Sequence, residues 1–175
     1  YIIPILKEVE LQEEEFFELK DYRREKGVEF LCTPFDLPSV DFLTKLGVNA
    51  FKIASADLTN LELLEYVASK GKPILLSTGM SYWDEIELAV RLLEDKRIPF
   101  ALLHCRSVYP VWPREVNLRM INRLSQFGCP VGYSGHDIGI TIPLVAASMG
   151  ACIIEKHITL DKNMCGPDHK ISLEP

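Results

Sequence analysis

The sequence is short of the features that mark several protein classes at sight. It has no unbroken run of the roughly 18 apolar residues that a membrane-spanning helix needs. The longest mostly apolar stretch, Ile138 to Ile154, is interrupted by Gly139, Thr141, Pro143, Ser148 and Gly150. No C-x-x-C pair occurs among the five cysteines, Cys32, Cys105, Cys129, Cys152 and Cys165, so the spacing of a zinc knuckle or a dithiol redox centre is missing. Basic residues are in deficit, 19 Lys and Arg against 25 Asp and Glu for a net charge of −6, and they are scattered. A face for nucleic acid or anionic lipid is therefore not expected, and a small-molecule partner is. The opening YIIPILKEVELQEEE turns acidic where a targeting segment would be basic and then apolar. An odd cysteine count, with three of the five in or at the end of apolar runs, points to a reducing, cytoplasmic compartment.

What the sequence does have is a globular balance, 47% apolar and 25% charged over 175 residues, and a repeat. Short β-rich runs ending in polar or small residues recur as VEFLCT (28–33), AFKIAS (50–55), PILLST (73–78), FALLHC (100–105), PVGYS (130–134) and ACIIEKH (151–157). From Thr33 through Ser55, Ser77, Cys105 and Ser134 to His157 the spacings are 22, 22, 28, 29 and 23 residues, room for a strand, a loop and a helix each time. Helix-like segments fill the gaps. Three of them close on Gly27, Gly47 and Gly71, where a left-handed C-terminal cap is wanted. Ser81, followed by Asp84 and Glu85, reads as an N-cap with first-turn acids.

Continuously apolar strands between helices imply a parallel sheet covered by helices. An open doubly wound sheet and a closed (β/α)8 barrel both fit, but no Gly-rich phosphate fingerprint follows the first strand, which weighs against a dinucleotide-binding open sheet. A complete barrel takes about 250 residues, so six units imply a barrel with two units missing, a single partial domain over 1–175.

In either architecture ligands bind at the carboxyl ends of the strands. Those ends carry Thr33, Lys52 with Ser55 and Asp57, Ser77 with Thr78, His104 with Ser107 and Tyr109, Ser134 with His136, and Glu155 with His157. Taken singly, a strand serine usually satisfies a backbone group and a buried histidine is usually structural; six consecutive polar strand ends are less readily chance. Hydroxyls with one lysine suit a phosphate. The lysine also reads as a Schiff-base nucleophile of the class I aldolase type, or as half of an ion pair. His136 and His157, on successive strand ends about 4.8 Å apart, suit Mn²⁺, Mg²⁺ or Zn²⁺ with open positions left for substrate.

The motifs CTPFD (32–36), FKIASADLTN (51–60), LLSTGM (75–80), LHCRSVYP (103–110), GYSGHDIG (132–139), EKHITLDK (155–162) and GPDHKISLEP (166–175) resemble, in order and spacing, the N-acetylneuraminate (sialic acid) synthase family. The resemblance implies a (β/α)8 TIM barrel, of which this chain would cover units three to eight, without the first two units and the C-terminal antifreeze-like domain. It implies a transferase that condenses phosphoenolpyruvate with an N-acylated amino sugar, as a homodimer in the full-length protein. It also assigns residues: Lys52, Thr33, Ser55, Ser77, Ser107 and Ser134 for phosphoenolpyruvate; His136 and His157 for a divalent metal, Mn²⁺ or Mg²⁺; and Tyr109, Asp57, Glu155 and Asp168 near the sugar or the reacting carbons. Arg106 and Ala56 depart from the family pattern, standing where a smaller polar residue and a glycine are frequent. A lysine-dependent aldolase and a non-catalytic barrel fragment are the rival readings.

Overall fold

The computed structural model describes residues 2–175. Three helices, α1 (Ile2–Val9), α2 (Glu13–Lys26) and α3 (Leu37–Leu46), precede a strict alternation: β1 (Phe51–Ile53), α4 (Leu61–Ser69), β2 (Ile74–Ser77), α5 (Trp83–Asp95), β3 (Phe100–Cys105), α6 (Met120–Leu124), β4 (Val131–Gly135), α7 (Thr141–Ser148) and β5 (Ile153–Lys156). All four strand pairings are parallel, and the sheet order is β1-β2-β3-β4-β5. A doubly wound sheet reverses its winding at a switch point; this one never does, so it is wound as a barrel is.

Alternation along each strand divides the side chains. Phe51, Ile53, Ile74, Leu76, Leu102 and Val131 join Val40, Leu43 and Leu46 of α3, Leu64 and Val67 of α4, Val90 and Leu93 of α5, and Ile121 and Leu124 of α6 in one buried core. Each such side chain contributes roughly 1.5–3 kcal/mol. The other face carries Lys52, Ser77, Cys105, Ser134 and Glu155. Lys52 Nζ on β1 lies 3.8 Å from Glu155 Oε1 on β5. In a flat sheet four inter-strand steps would hold these residues roughly 19 Å apart. The sheet is therefore curled into a half-barrel with its polar face inside.

The helices start and stop for local reasons. Asp36 caps α3, its carboxylate accepting from the Ser39 N–H at 2.7 Å, and Gly47 ends it with φ 81°, a left-handed conformation in which a side chain would be strained. At α5 the expected Ser81 cap is displaced by one residue: Tyr82 is the N-cap, and the Glu85 carboxylate accepts from its N–H at 2.6 Å. A glutamate three residues on fixes the start more firmly than the serine does.

One expected strand is corrected. The run 28–33 forms no strand, and a single main-chain bond ties it to the sheet, from the Lys52 N–H to the Cys32 carbonyl at 3.3 Å. In a parallel pair the Lys52 carbonyl takes its bond from the residue two beyond Cys32, and that residue is Pro34, which has no N–H, so no ladder propagates. The sheet has five strands among the described residues.

Candidate active site

Inside the curl, at the carboxyl ends of the strands, is a cavity of about 460 Å³. Ten of the twelve expected site residues line it: Thr33, Lys52, Ser55, Ser77 and Ser107 on one side, and Tyr109, Ser134, His136, Glu155 and His157 on the other. Cys105 and Met80, which residue type did not single out, line it as well. Asp57 does not; it sits in the turn after β1 and accepts weakly from the Asn60 side chain at 3.4 Å. Asp168 stands at the rim, its Oδ2 3.9 Å from His157 Nδ1.

Lys52 is 9% exposed and donates to Ser77 Oγ at 2.8 Å and to the Ile53 carbonyl at 3.0 Å. Burial pulls its ammonium below the usual lysine range, and Glu155 opposes the shift. The Glu155 carboxylate accepts from Ser134 Oγ at 2.6 Å. A cation, a carboxylate and two hydroxyls from β1, β2, β4 and β5 thus form one chain across the mouth of the sheet.

The hydroxyls opposite converge on the turn after β2. Ser55 Oγ accepts from the Gly79 N–H at 3.0 Å. A Cβ on Gly79 would lie 2.9 Å from each of Ser55 Oγ, Ser107 Oγ and Cys105 Sγ. A side chain at Gly79 would push these three side-chain tips apart.

The imidazoles of His136 and His157 stand 5.4 Å apart, and the Tyr109 ring packs against His136 at 3.9 Å. His136 Nδ1 is 2.8 Å from the Arg106 carbonyl. A carbonyl only accepts, so Nδ1 carries the proton and the lone pair of Nε2 is free. Burial lowers the pKa of His157, Asp168 opposes this, and His136 adds to it. Among the described residues no group of three or more His, Cys, Asp or Glu is placed to hold a metal ion.

His104 does not join the cavity. It faces the helix layer, buried, with Nε2 donating to the Val116 carbonyl at 2.6 Å. The alternation of β3 dictates this, since Leu103 and Cys105 point inward. His169 bonds Thr159 Oγ1 through Nδ1 at 2.7 Å. Sequence reasoning also passed over Asp137, Tyr133 and Lys156, a buried polar group on the helix side of β4 and β5. Strand alternation next to each site histidine is the signal that could have found them.

Curled parallel βα units with polar side chains converging at the carboxyl ends of the strands define the barrel class of enzyme folds. The NeuB family model matches residues 1–175, and the chain belongs to the NeuB family. It is 48% identical over 177 residues to the N,N'-diacetyllegionaminic acid synthase of Campylobacter jejuni, covering 99% of this chain and 53% of that protein. It is 39% identical over 171 residues to the human N-acetylneuraminate-9-phosphate synthase, covering 97% of this chain and 48% of that protein. The crystal structure of N-acetylneuraminic acid (sialic acid) synthetase from Leptospira borgpetersenii, in complex with citrate, superposes with a TM-score of 0.92 at 45% identity, over 95% of this chain and 59% of that one. The chain spans about half the length of the curated relatives it matches.

Proposed function

We propose that this chain supplies units three to eight of a (β/α)8 barrel synthase. That enzyme condenses phosphoenolpyruvate with the open-chain aldehyde of an N-acylated amino sugar, giving a nine-carbon 2-keto acid and inorganic phosphate. The observation that carries the reading is the Ser77–Lys52–Glu155–Ser134 chain across the cavity. It is a desolvated cation with hydroxyl donors, where an anionic three-carbon substrate meets a carboxylate. The relatives, a legionaminic acid synthase and an N-acetylneuraminate-9-phosphate synthase, support it.

Lys52 provides the charge for phosphoenolpyruvate, and Ser55, Ser77, Ser107 and Thr33 provide directional hydrogen bonds that hold it with C3 toward the aldehyde, while Ser134, whose O–H goes to Glu155, borders it. The C3 carbon attacks the aldehyde carbon, the new C–C bond forms, and the aldehyde oxygen takes up a proton. Water adds at C2, and the C2–O bond to phosphate breaks, releasing phosphate and leaving the ketone. Glu155 is placed to accept the proton of that water, with Ser134 orienting its carboxylate. Tyr109 and Asp168 border the sugar side, with Asp57 in the turn after β1 outside the cavity.

The donor chemistry of His136 and His157 fits a divalent cation: two neighbouring imidazoles, one with Nδ1 tied to a carbonyl and Nε2 free, and room for substrate oxygens to complete the shell. A bound Mn²⁺ or Mg²⁺ supplies a Lewis acid for the aldehyde oxygen. The reading includes a homodimer in the full-length protein, on family resemblance alone, and the cytoplasm, where its five free thiols suit a reducing compartment. No helix among the described residues is long and apolar enough to cross a membrane.

The test is phosphate release by the natural full-length protein from phosphoenolpyruvate with N-acetylmannosamine, its 6-phosphate, and a diacetylated bacillosamine-type sugar, with and without chelator. Turnover with one sugar, abolished by chelator and restored by Mn²⁺, is expected. No turnover with any of the three, or a borohydride-trapped pyruvate adduct on Lys52, overturns the reading.

A further inference from the structure

Behind the two site histidines, on the helix side of the sheet, lies a buried ionic cluster that the proposed chemistry does not use. Asp137 is 1% exposed, and Tyr133 OH donates to its Oδ1 at 2.7 Å. Lys156 Nζ is 3.6 Å from Oδ2 and also donates to the Asp137 backbone carbonyl. Oδ2 has no hydrogen-bond partner. Burying such a pair costs desolvation energy, and well-packed apolar residues in its place are often as stable. Stability alone is a poor reason for it.

Its position suggests another. Gly135 and Lys156 are register partners at the ends of β4 and β5, His136 follows the first, and His157 follows the second. Successive side chains alternate in direction, so anchoring Asp137 and Lys156 outward turns both imidazoles inward. The network also dictates a neighbour. A Cβ on Gly135 would lie 2.5 Å from Asp137 Oδ1 and 2.5 Å from Tyr133 Cε1, so the glycine is there to admit the network.

We propose that Tyr133, Asp137 and Lys156 are positioning residues that set the separation and aim of the His136 and His157 imidazoles, and thereby the affinity of that pair for a divalent cation. This rests on the assignment of the two histidines as the cation pair. The Tyr133 hydrogen bond and the Lys156 contacts hold Asp137 in one place, and direct outer-shell partners of metal ligands are worth about 10- to 100-fold in metal affinity. Here the lever is the main chain, because no member of the network hydrogen-bonds the His136 or His157 imidazole.

The experiment measures Mn²⁺ affinity by calorimetry and the ring signals of ¹⁵N-labelled histidines in the metal-free, natural full-length protein. Asp137→Asn keeps volume and an acceptor for Tyr133 but removes the charge. The expected result is a loss of about tenfold or more in Mn²⁺ affinity with displaced His136 and His157 signals. Tyr133→Phe, which deletes one hydroxyl and leaves the ion pair, decides if the first variant does not fold; it is expected to lose affinity several-fold. Leu64→Ala, a core truncation in α4, controls for general loosening and is expected to leave affinity unchanged. Wild-type affinity and unmoved signals in a folded network variant overturn the proposal, as does an equal loss in Leu64→Ala. If the wild-type protein itself binds no Mn²⁺, the cation assignment fails and the histidine signals alone decide whether the network positions the rings.

Discussion

Lys52 and Glu155 belong to opposite edges of a five-stranded sheet and still approach to 3.8 Å. Between them they hold Ser77 and Ser134, so the curvature of the sheet and the assembly of the site are one event. A change that flattened the sheet would dismantle the site without touching any of its residues.

Lys52→Met should raise the phosphoenolpyruvate KM by about 10- to 100-fold, the usual loss when a charge-assisted hydrogen bond to an anion is removed. Lys52→Arg should retain part of the activity, because it keeps the charge and changes the reach. Steady-state kinetics on the full-length protein decides it; an unchanged KM in Lys52→Met removes the lysine from the anion site.

His136→Ala and His157→Ala should each reduce Mn²⁺ affinity by about 100-fold or more, since even outer-shell partners are worth 10- to 100-fold. His104→Ala and His169→Ala should bind Mn²⁺ as the wild type does. The two sets separate because His104 is turned into the helix layer and His169 is tied to Thr159. Equal losses in all four, measured by metal titration, would show that the pair is misassigned.

Acid should weaken the fold through His104. Burial lowers its pKa from the ordinary value of 6.5, with the Val116 carbonyl partly opposing. The folded state then holds the neutral ring while the unfolded chain binds a proton near pH 6.5. The resulting stability is complete above that pH and is lost as pH falls toward the folded-state pKa. Urea midpoints should therefore drop between pH 7.5 and pH 5, and the drop should be smaller in His104→Leu. A parallel pH dependence in the variant would assign the effect to other groups.

Residues 1–175 expressed in isolation should aggregate and lack turnover. In the described structure β1 and β5 are the outer strands, and unpaired main-chain groups on edge strands template association. Ile154 on β5 is 41% exposed, and Ile158 just beyond it is 75% exposed. A soluble monomer with one sharp unfolding transition would contradict this.

Much of this was legible in the sequence because burial on both faces writes itself as continuous apolar runs. PILLST and FALLHC gave β2 and β3 almost to the residue, and the polar residue ending each run marked the rim. The run VEFLCT was equally apolar, but only its register against Lys52 shows that the donor needed to continue the ladder falls on Pro34, which has no N–H. Residue type could gather Ser55, Ser77 and Ser134 at one rim, yet it could not tell that His104 faces away. The Tyr133–Asp137–Lys156 cluster was invisible for a related reason. Tyr133 and Asp137 are only four residues apart, but Lys156 is 19 residues from Asp137 and is joined to them by the register of β4 with β5.

The strand order bears on how the chain acquires its shape. Phe51 pairs with Ile74, 23 residues on; Ile74 with Phe100, 26 on; Leu102 with Val131, 29 on; and Gly132 with Ile153, 21 on. Loop-closure entropy grows only as the logarithm of loop length, so these four closures cost nearly the same. Each pairing closes over one βα unit of similar length, non-local beside a hairpin but never spanning the whole chain. The half-barrel can therefore grow from its central strands toward either edge in steps of nearly uniform cost. The Lys52–Glu155 contact needs all four pairings in place, so it exists only in the finished curl.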